Sequence, residues 1–187
     1  MFILMLGPPG SGKGTQGQIL SRRLGIPKIA TGDILRAAMK AGTPLGKDAK
    51  KFYDAGKLVP DSLILELIKS ELAKPEAQEG AIFDGFPRTA AQAELVERTL
   101  TAHGQRLAHV LLLDVPEEEL VKRLHGRALQ EGRTDDTPEA ISTRLLTYHQ
   151  DTAPLVAYYA QRGVMHRVPG VGTVEEIAEE IKRKLGR

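Results

Sequence analysis

The chain has 187 residues, with 26 Lys plus Arg against 24 Asp plus Glu, and it contains no Cys, Trp or Asn. That length suits one domain with a sizeable core, and the missing cysteines exclude a disulfide scaffold, thiol catalysis and a Cys-ligated zinc site. A net charge of +2 argues against a nucleic-acid binder, while 27% charged and 41% hydrophobic residues read as a globular chain rather than a disordered one.

Short apolar runs alternate with helical patterns along the chain. Phe2-Ile3-Leu4-Met5-Leu6 has no polar alternation, as expected for a strand buried on both faces. It stops at Gly7 and is too short for a signal peptide. No apolar run reaches the roughly 18 residues of a membrane span. The expectation is a soluble, cytoplasmic protein with no membrane partner. A helix is predicted from near Gln16, then a strand at Lys28-Ile29-Ala30. Thr43-Pro44 reads as an N-cap and first-turn proline, with Gly56 ending that helix. Asp61 is expected to cap Ser62 to Ala73, with Leu63, Leu67 and Ile68 on its apolar face. Ala81-Ile82-Phe83 is the next strand, and Thr89 caps a helix running to about Ala102. Val110-Leu111-Leu112-Leu113 follows, then a helix with Glu117, Glu118 and Glu119 in its first turn, where the helix dipole favours negative charge. Thr137-Pro138 opens a helix toward Gln150, Val164 to Val168 is the last strand, and Thr173 to Leu185 the last helix. Alternation of this kind implies an α/β fold: a parallel sheet with helices on both faces. Two insertions stand out, a helical one at about 30–59 and a short loop around 128–137.

The strongest local signal is Gly7-Pro8-Pro9-Gly10-Ser11-Gly12-Lys13-Gly14-Thr15, a phosphate-loop pattern between a buried strand and a helix. Its glycines let backbone N–H groups turn toward a phosphate at a helix N-terminus, and Lys13 adds a point charge at the β/γ-phosphates. Gly14 stands where a Ser or Thr usually supplies a magnesium-binding hydroxyl, which is displaced to Thr15. Mg2+ would then be held mainly by phosphates and water. Asp84 ends a buried strand at the side where a doubly wound sheet binds ligands. It is expected to face the phosphates and to hold magnesium directly or through water. His103, His109, His125, His149 and His166 fall in no metal-like or catalytic spacing and read as surface or core residues.

Together with the phosphate loop, Thr31-Gly32-Asp33-Ile34-Leu35-Arg36, Gly56-Lys57-Leu58-Val59-Pro60, Asp84-Gly85-Phe86-Pro87-Arg88, Asp114-Val115-Pro116, Arg123, Arg127, Arg133-Thr134-Asp135-Asp136 and Arg144 occur in one order. In that order the chain resembles the adenylate kinases across nearly its whole length. With only Ala128 to Gly132 between Arg127 and Arg133, it is similar to the short-lid form, which carries no zinc. The resemblance implies a P-loop NTPase-type, doubly wound five-stranded parallel sheet forming a core (1–29, 60–125 and 138–187). It also implies a nucleoside-monophosphate-binding insert at 30–59 and a lid at 126–137. The implied reaction is ATP + AMP ⇌ 2 ADP with Mg2+, carried out by a monomer.

The same resemblance implies individual roles. Gly10, Ser11, Gly12, Lys13, Gly14 and Thr15 hold ATP phosphates. Arg127 contacts ATP phosphate, Arg123 lies against the ATP adenine, and Gly172 gives that base a backbone contact. Arg36 and Arg88 bind the AMP phosphate. Arg133 and Arg144 grip the transferring phosphate and the AMP phosphate. Thr31 and Gln92 read the acceptor adenine, near Lys57, Leu58, Val59, Gly85, Phe86 and Pro87. Asp135 and Asp136 draw lid arginines into the closed state. Two of these residues also have ordinary roles: Thr31-Gly32-Asp33 is a common N-cap, and Thr89 to Gln92 fits a capping box. The residues agree with this chemistry, because phosphoryl transfer between nucleotides needs charge neutralisation and alignment rather than a strong base. Arginine suits phosphate oxygens, and Arg123 and Arg127, four apart, share a helix face. With seven cations assigned to one crevice, the compensating acids are expected largely elsewhere. The nearest alternative is a UMP/CMP kinase of the same family. A GTPase switch is excluded, since its guanine-reading motif requires Asn.

Overall fold

The computed structural model describes residues 1–55, 57–131 and 136–186. Five strands, β1 (Phe2–Leu6), β2 (Lys28–Ala30), β3 (Ala81–Asp84), β4 (Leu107–Asp114) and β5 (Met165–Pro169), form one parallel sheet in the order β2-β3-β1-β4-β5. The unbroken apolar run of β1 is explained by its place. It pairs with β3 on one side and β4 on the other, and all five residues are buried. The last strand lies one residue later than expected, because Met165 to Pro169 pair with Val110 to Asp114.

Helices cover both faces. Ile3, Met5, Ile82, Leu111, Leu113 and Val168 pack with Leu20 of α1 (Lys13–Leu24) and with Ile177 and Ile181 of α9 (Val174–Lys184). The opposite face carries Leu4, Leu6 and Phe83 against α4 (Asp61–Leu72), α5 (Ala90–Ala102) and α8 (Pro154–Ala160). A third cluster, including Leu120, Leu124, Ile141 and Leu145, joins α6 (Glu117–Glu131) to α7 (Pro138–Thr147). Each fully buried aliphatic side chain contributes about 1.5–3 kcal/mol. His109 and His166, side by side on β4 and β5, approach to 3.0 Å through their ring nitrogens.

Several boundaries differ from the sequence reading. Helix α1 begins at Lys13, not near Gln16, so the lysine itself lies in its first turn. Asp61 is not an N-cap; Pro60 occupies that position, and the helix has no side-chain cap. Thr31 is likewise the first helical residue of α2 (Thr31–Lys40), behind Ala30. Helix α3 (Pro44–Asp54) is capped by Thr43 as expected and ends at Asp54, and the expected terminator Gly56 lies outside the described residues. Residues 128–131 are the end of α6 rather than loop. The helix from Pro138 stops at Thr147, where a π turn (Tyr148–Thr152) redirects the chain into the unforeseen α8.

Candidate active site

The carboxyl ends of the strands open into a cavity of about 960 Å³, bounded by the loop after β1, by α2 and α3, and by α6, α7 and the start of α9. The loop from Gly7 to Gly12 turns β1 into α1. Gly12, the helix N-cap, has φ +93°, and Gly10 has φ +82°, a region L side chains avoid. Lys13 folds back over the loop, its Nζ donating to the carbonyls of Gly7 and Pro8 at 2.7 Å each and to Ser11 Oγ at 3.3 Å.

Burial lowers the Lys13 pKa to about 8; Asp84 opposes this, while Arg88, Arg144 and Arg127 add to it. Arg88 is also lowered, by burial first and then by Arg144 and Arg36 against the opposing effects of Asp84 and Tyr53. Two part-buried cations thus face one cavity, with Asp84 as the nearby carboxylate and other arginines around them. Among the described residues neither forms an ion pair with a carboxylate. Arg88 Nε donates to the Gly85 carbonyl at 2.6 Å.

The other cations do have partners, which corrects the expectation that compensating acids lie elsewhere. Arg36 pairs with Asp33 one turn away and donates to the Tyr53 hydroxyl. Arg123 pairs with Glu119 at 2.8 Å, and that bond lowers the Glu119 pKa. Arg127 and Arg144 share Asp136, whose side chain is fully buried, at 2.6 and 2.7 Å. The i,i+3 and i,i+4 spacings of the first two pairs are visible in the sequence; the Asp136 pairing spans eight and nine positions and is not. Arg133 and Asp135 lie outside the described residues.

Of the remaining candidates, Gly10, Ser11, Gly12, Gly14, Thr15, Lys57, Leu58, Asp84, Gly85, Pro87 and Gly172 line the cavity with the cations. Thr31, Val59, Phe86 and Gln92 are buried behind its wall. Thr31 Oγ1 donates to the Gly85 carbonyl at 3.0 Å, the same oxygen that receives Arg88. Gln92 makes only half of the expected capping box. Its N–H reaches Thr89 Oγ1 at 3.3 Å, but its Oε1 accepts from Arg88 N at 2.7 Å and its Nε2 donates to Asp61. That explains why Asp61 caps nothing, and it joins Asp61, Gln92, Arg88, Gly85 and Thr31 in one network. Tyr53, Lys28 and Gln16 also border the cavity and escaped the sequence reading.

The donor set suits magnesium in its usual manner. Asp84 Oδ2 would lie 3.6 Å from a Cβ at Gly14, so the carboxylate faces the loop, with the exposed Thr15 beside it. Among the described residues no group of three acidic or His side chains forms a metal cage. A cation held largely by phosphates and water needs none. No helix among the described residues is long and apolar enough to cross a membrane.

Comparison with known proteins agrees with this geometry. The family model described as "Adenylate kinase" matches residues 5–164. An adenylate kinase of Thermus thermophilus is 52% identical over 184 residues, 98% of this chain and 96% of the relative. One of Leptospira biflexa is 47% identical over 183 residues, 98% of each chain. One of Xanthomonas euvesicatoria is 46% identical over 187 residues, the whole of both. The chain belongs to the adenylate kinase family.

Proposed function

We infer that the chain catalyses reversible, Mg2+-dependent phosphoryl transfer from ATP to AMP, giving two ADP. The observation that carries the site-level reading is the pair of part-buried cations, Lys13 and Arg88, facing one cavity without an ion-paired carboxylate among the described residues. Lys13 follows the phosphate loop after β1 and Arg88 the segment after β3, so two separate elements bring positive charge to one cavity. A protein that only bound ATP would have no use for the second.

In this reading the phosphate-loop amides, Lys13 and Arg127 hold the triphosphate. Arg36 and Arg88 hold the acceptor phosphate, and Arg144 with Arg133 spans the gap between them. An oxygen of the AMP phosphate, already ionised near neutral pH, forms a bond to the γ-phosphorus. The bond from that phosphorus to the β,γ-bridging oxygen breaks, and its electron pair leaves on ADP. No residue must remove a proton, so catalysis rests on alignment and charge stabilisation. Magnesium, when bound, neutralises phosphate charge, and Asp84 would hold it through water. Arg123 and Gly172 take the donor adenine. Thr31 and Gln92, with residues 57–59 and 85–87, take the acceptor adenine. Residues 30–59 act as an insert and 126–137 as a lid, with Asp135 and Asp136 drawing in lid arginines. Their closure excludes water that would otherwise hydrolyse ATP. The enzyme works as a cytoplasmic monomer on small nucleotides.

The test is a coupled ADP-formation assay with ATP against AMP, CMP, UMP and GMP. AMP should give the highest kcat/KM. Faster turnover of CMP or UMP would overturn the adenine assignment.

A further inference from the structure

Gln16 lies in the first turn of α1, three residues beyond Lys13, and is 3% exposed. Its Nε2 donates to the carbonyl of Val174, the first residue of α9, at 2.9 Å. Its Oε1 is buried and has no hydrogen-bond partner among the described residues. An unpaired buried amide oxygen costs about 1–3 kcal/mol, and folded proteins keep few of them. Gln16 also borders a second cavity of about 360 Å³ between α1 and α9, lined by Ile19, Leu20, Leu24, Ile181 and Leu185 with Arg23, Glu179 and Lys182 among them. An unbranched apolar side chain of the same length would fill this place without the cost. Packing therefore leaves the choice of Gln unexplained, and the bond to Val174 is what remains.

That bond joins two parts of one ligand site. Val174 follows Gly172-Thr173 in the loop between β5 and α9. The loop is tied from one side by Arg123, whose Nη1 donates to the Gly170 carbonyl at 3.0 Å. Thr173 and Glu176 fix its exit through a capping box. Gln16 ties it from the other side, to the helix whose N-terminus faces the phosphates. With a rise of about 1.5 Å per residue, Gln16 stands roughly 4.5 Å along α1 from Lys13. The helix and this one hydrogen bond thus form a short, stiff link from phosphate loop to base loop.

We propose that Gln16 is a positioning residue for the donor nucleotide, setting the distance between the triphosphate site and the adenine site and thereby the preference for ATP over other triphosphates. The proposal rests on the reading of Arg123 and Gly172 as donor-base contacts. The phosphate loop grips every nucleoside triphosphate alike, so discrimination falls to the base loop, and Gln16 holds that loop in register.

The test is steady-state kinetics of the full chain with ATP or GTP as donor and AMP as acceptor, together with melting temperatures, for Gln16→Met, Gln16→Glu and Arg123→Ala. Gln16→Met keeps the length and removes both the bond and the orphan oxygen. KM for ATP should rise about 5- to 20-fold with kcat within about threefold, the signature of lost uniform binding. KM for AMP should stay within about twofold, the ATP-over-GTP preference should fall, and the melting temperature should hold or rise. Gln16→Glu, which in its ionised form cannot donate to Val174, should show the same kinetic change at a pH where that carboxyl is ionised. If both Gln16 variants leave KM for ATP and donor preference unchanged while Arg123→Ala raises KM for ATP, the proposal is wrong and the donor-site reading stands. If Arg123→Ala also leaves KM for ATP unchanged, the donor-site reading fails and takes the proposal with it. A lower melting temperature with KM raised equally for ATP and AMP would make Gln16 merely structural and overturn the proposal.

Discussion

Arg127 and Asp136 meet at two points: Nε donates to Oδ2 at 2.6 Å and Nη2 to Oδ1 at 2.7 Å. Arg144 Nη1 adds a third bond, to the same Oδ1, at 2.7 Å. One fully buried carboxylate therefore aims two guanidinium groups that border the nucleotide cavity. Two-point pairing fixes the plane of a guanidinium as well as its place, so Arg127 stands oriented at the cavity wall.

Asp136→Asn should be severely destabilising. Removing one member of a buried ionic group leaves the others uncompensated, at a cost of about 3–5 kcal/mol. For a chain of this size that lowers Tm by roughly 6–20 °C. Bound ATP should restore part of the loss, because its phosphates supply the missing negative charge. The measurement is Tm with and without ATP, and the ligand-induced rise should be larger in the variant than in the parent chain.

Arg88→Ala should separate folding from function in the opposite direction. The guanidinium is part-buried beside the like charges of Arg144 and Arg36, with Asp84 opposing them and the Gly85 carbonyl receiving its Nε. Its removal relieves repulsion, so Tm should stay within a few degrees or rise. The kcat/KM for AMP should fall by about 100-fold or more. Thermal melts and steady-state kinetics on one preparation check both halves.

Lys13 gives a pH dependence with a defined sign. Its pKa in the free protein is lowered to about 8, chiefly by burial. Between about 8 and the unfolded value of 10.5 the unfolded state binds more protons than the folded one. This group therefore makes the free protein more stable as pH rises through that window. Function runs the other way, since a neutral Lys13 loses its charge toward the triphosphate. The kcat/KM for ATP should decline above pH about 8, while kcat holds to higher pH because bound phosphates raise the pKa. Proton uptake on ATP binding near pH 9, measured by calorimetry in buffers of different ionisation enthalpy, should accompany this.

Tyr159 offers a stability gain away from the site. It is fully buried, its hydroxyl has no hydrogen-bond partner among the described residues, and burial pushes its pKa up. Tyr159→Phe removes an unsatisfied polar group and should stabilise the chain by about 1 kcal/mol, with kinetics unchanged. A chemical-denaturation midpoint that rises at constant slope checks it.

How far the sequence carried the reading depended on whether the signal was local. The phosphate loop is a contiguous run, and β1 announces its central place because both its faces are apolar. Thr43 and Thr89 read correctly as N-caps because a cap acts within three residues. Asp61 and Thr31 misled because their sequence context suits a cap while their side chains are engaged far away, with Gln92 and the Gly85 carbonyl. The π turn at Tyr148–Thr152 hid α8, since no Gly or Pro marks the end of α7. Asp136 and Gln16 owe their roles to bonds that only the folded chain brings together.

The central claim is that one cavity holds two nucleotides with their phosphates facing. Titration calorimetry and competition kinetics with a dinucleotide in which five phosphates join two adenosines test it most directly. The account predicts one molecule bound per chain, competition with both ATP and AMP, and markedly weaker binding to Arg88→Ala. Two equivalents bound per chain, or competition with ATP alone, would contradict it.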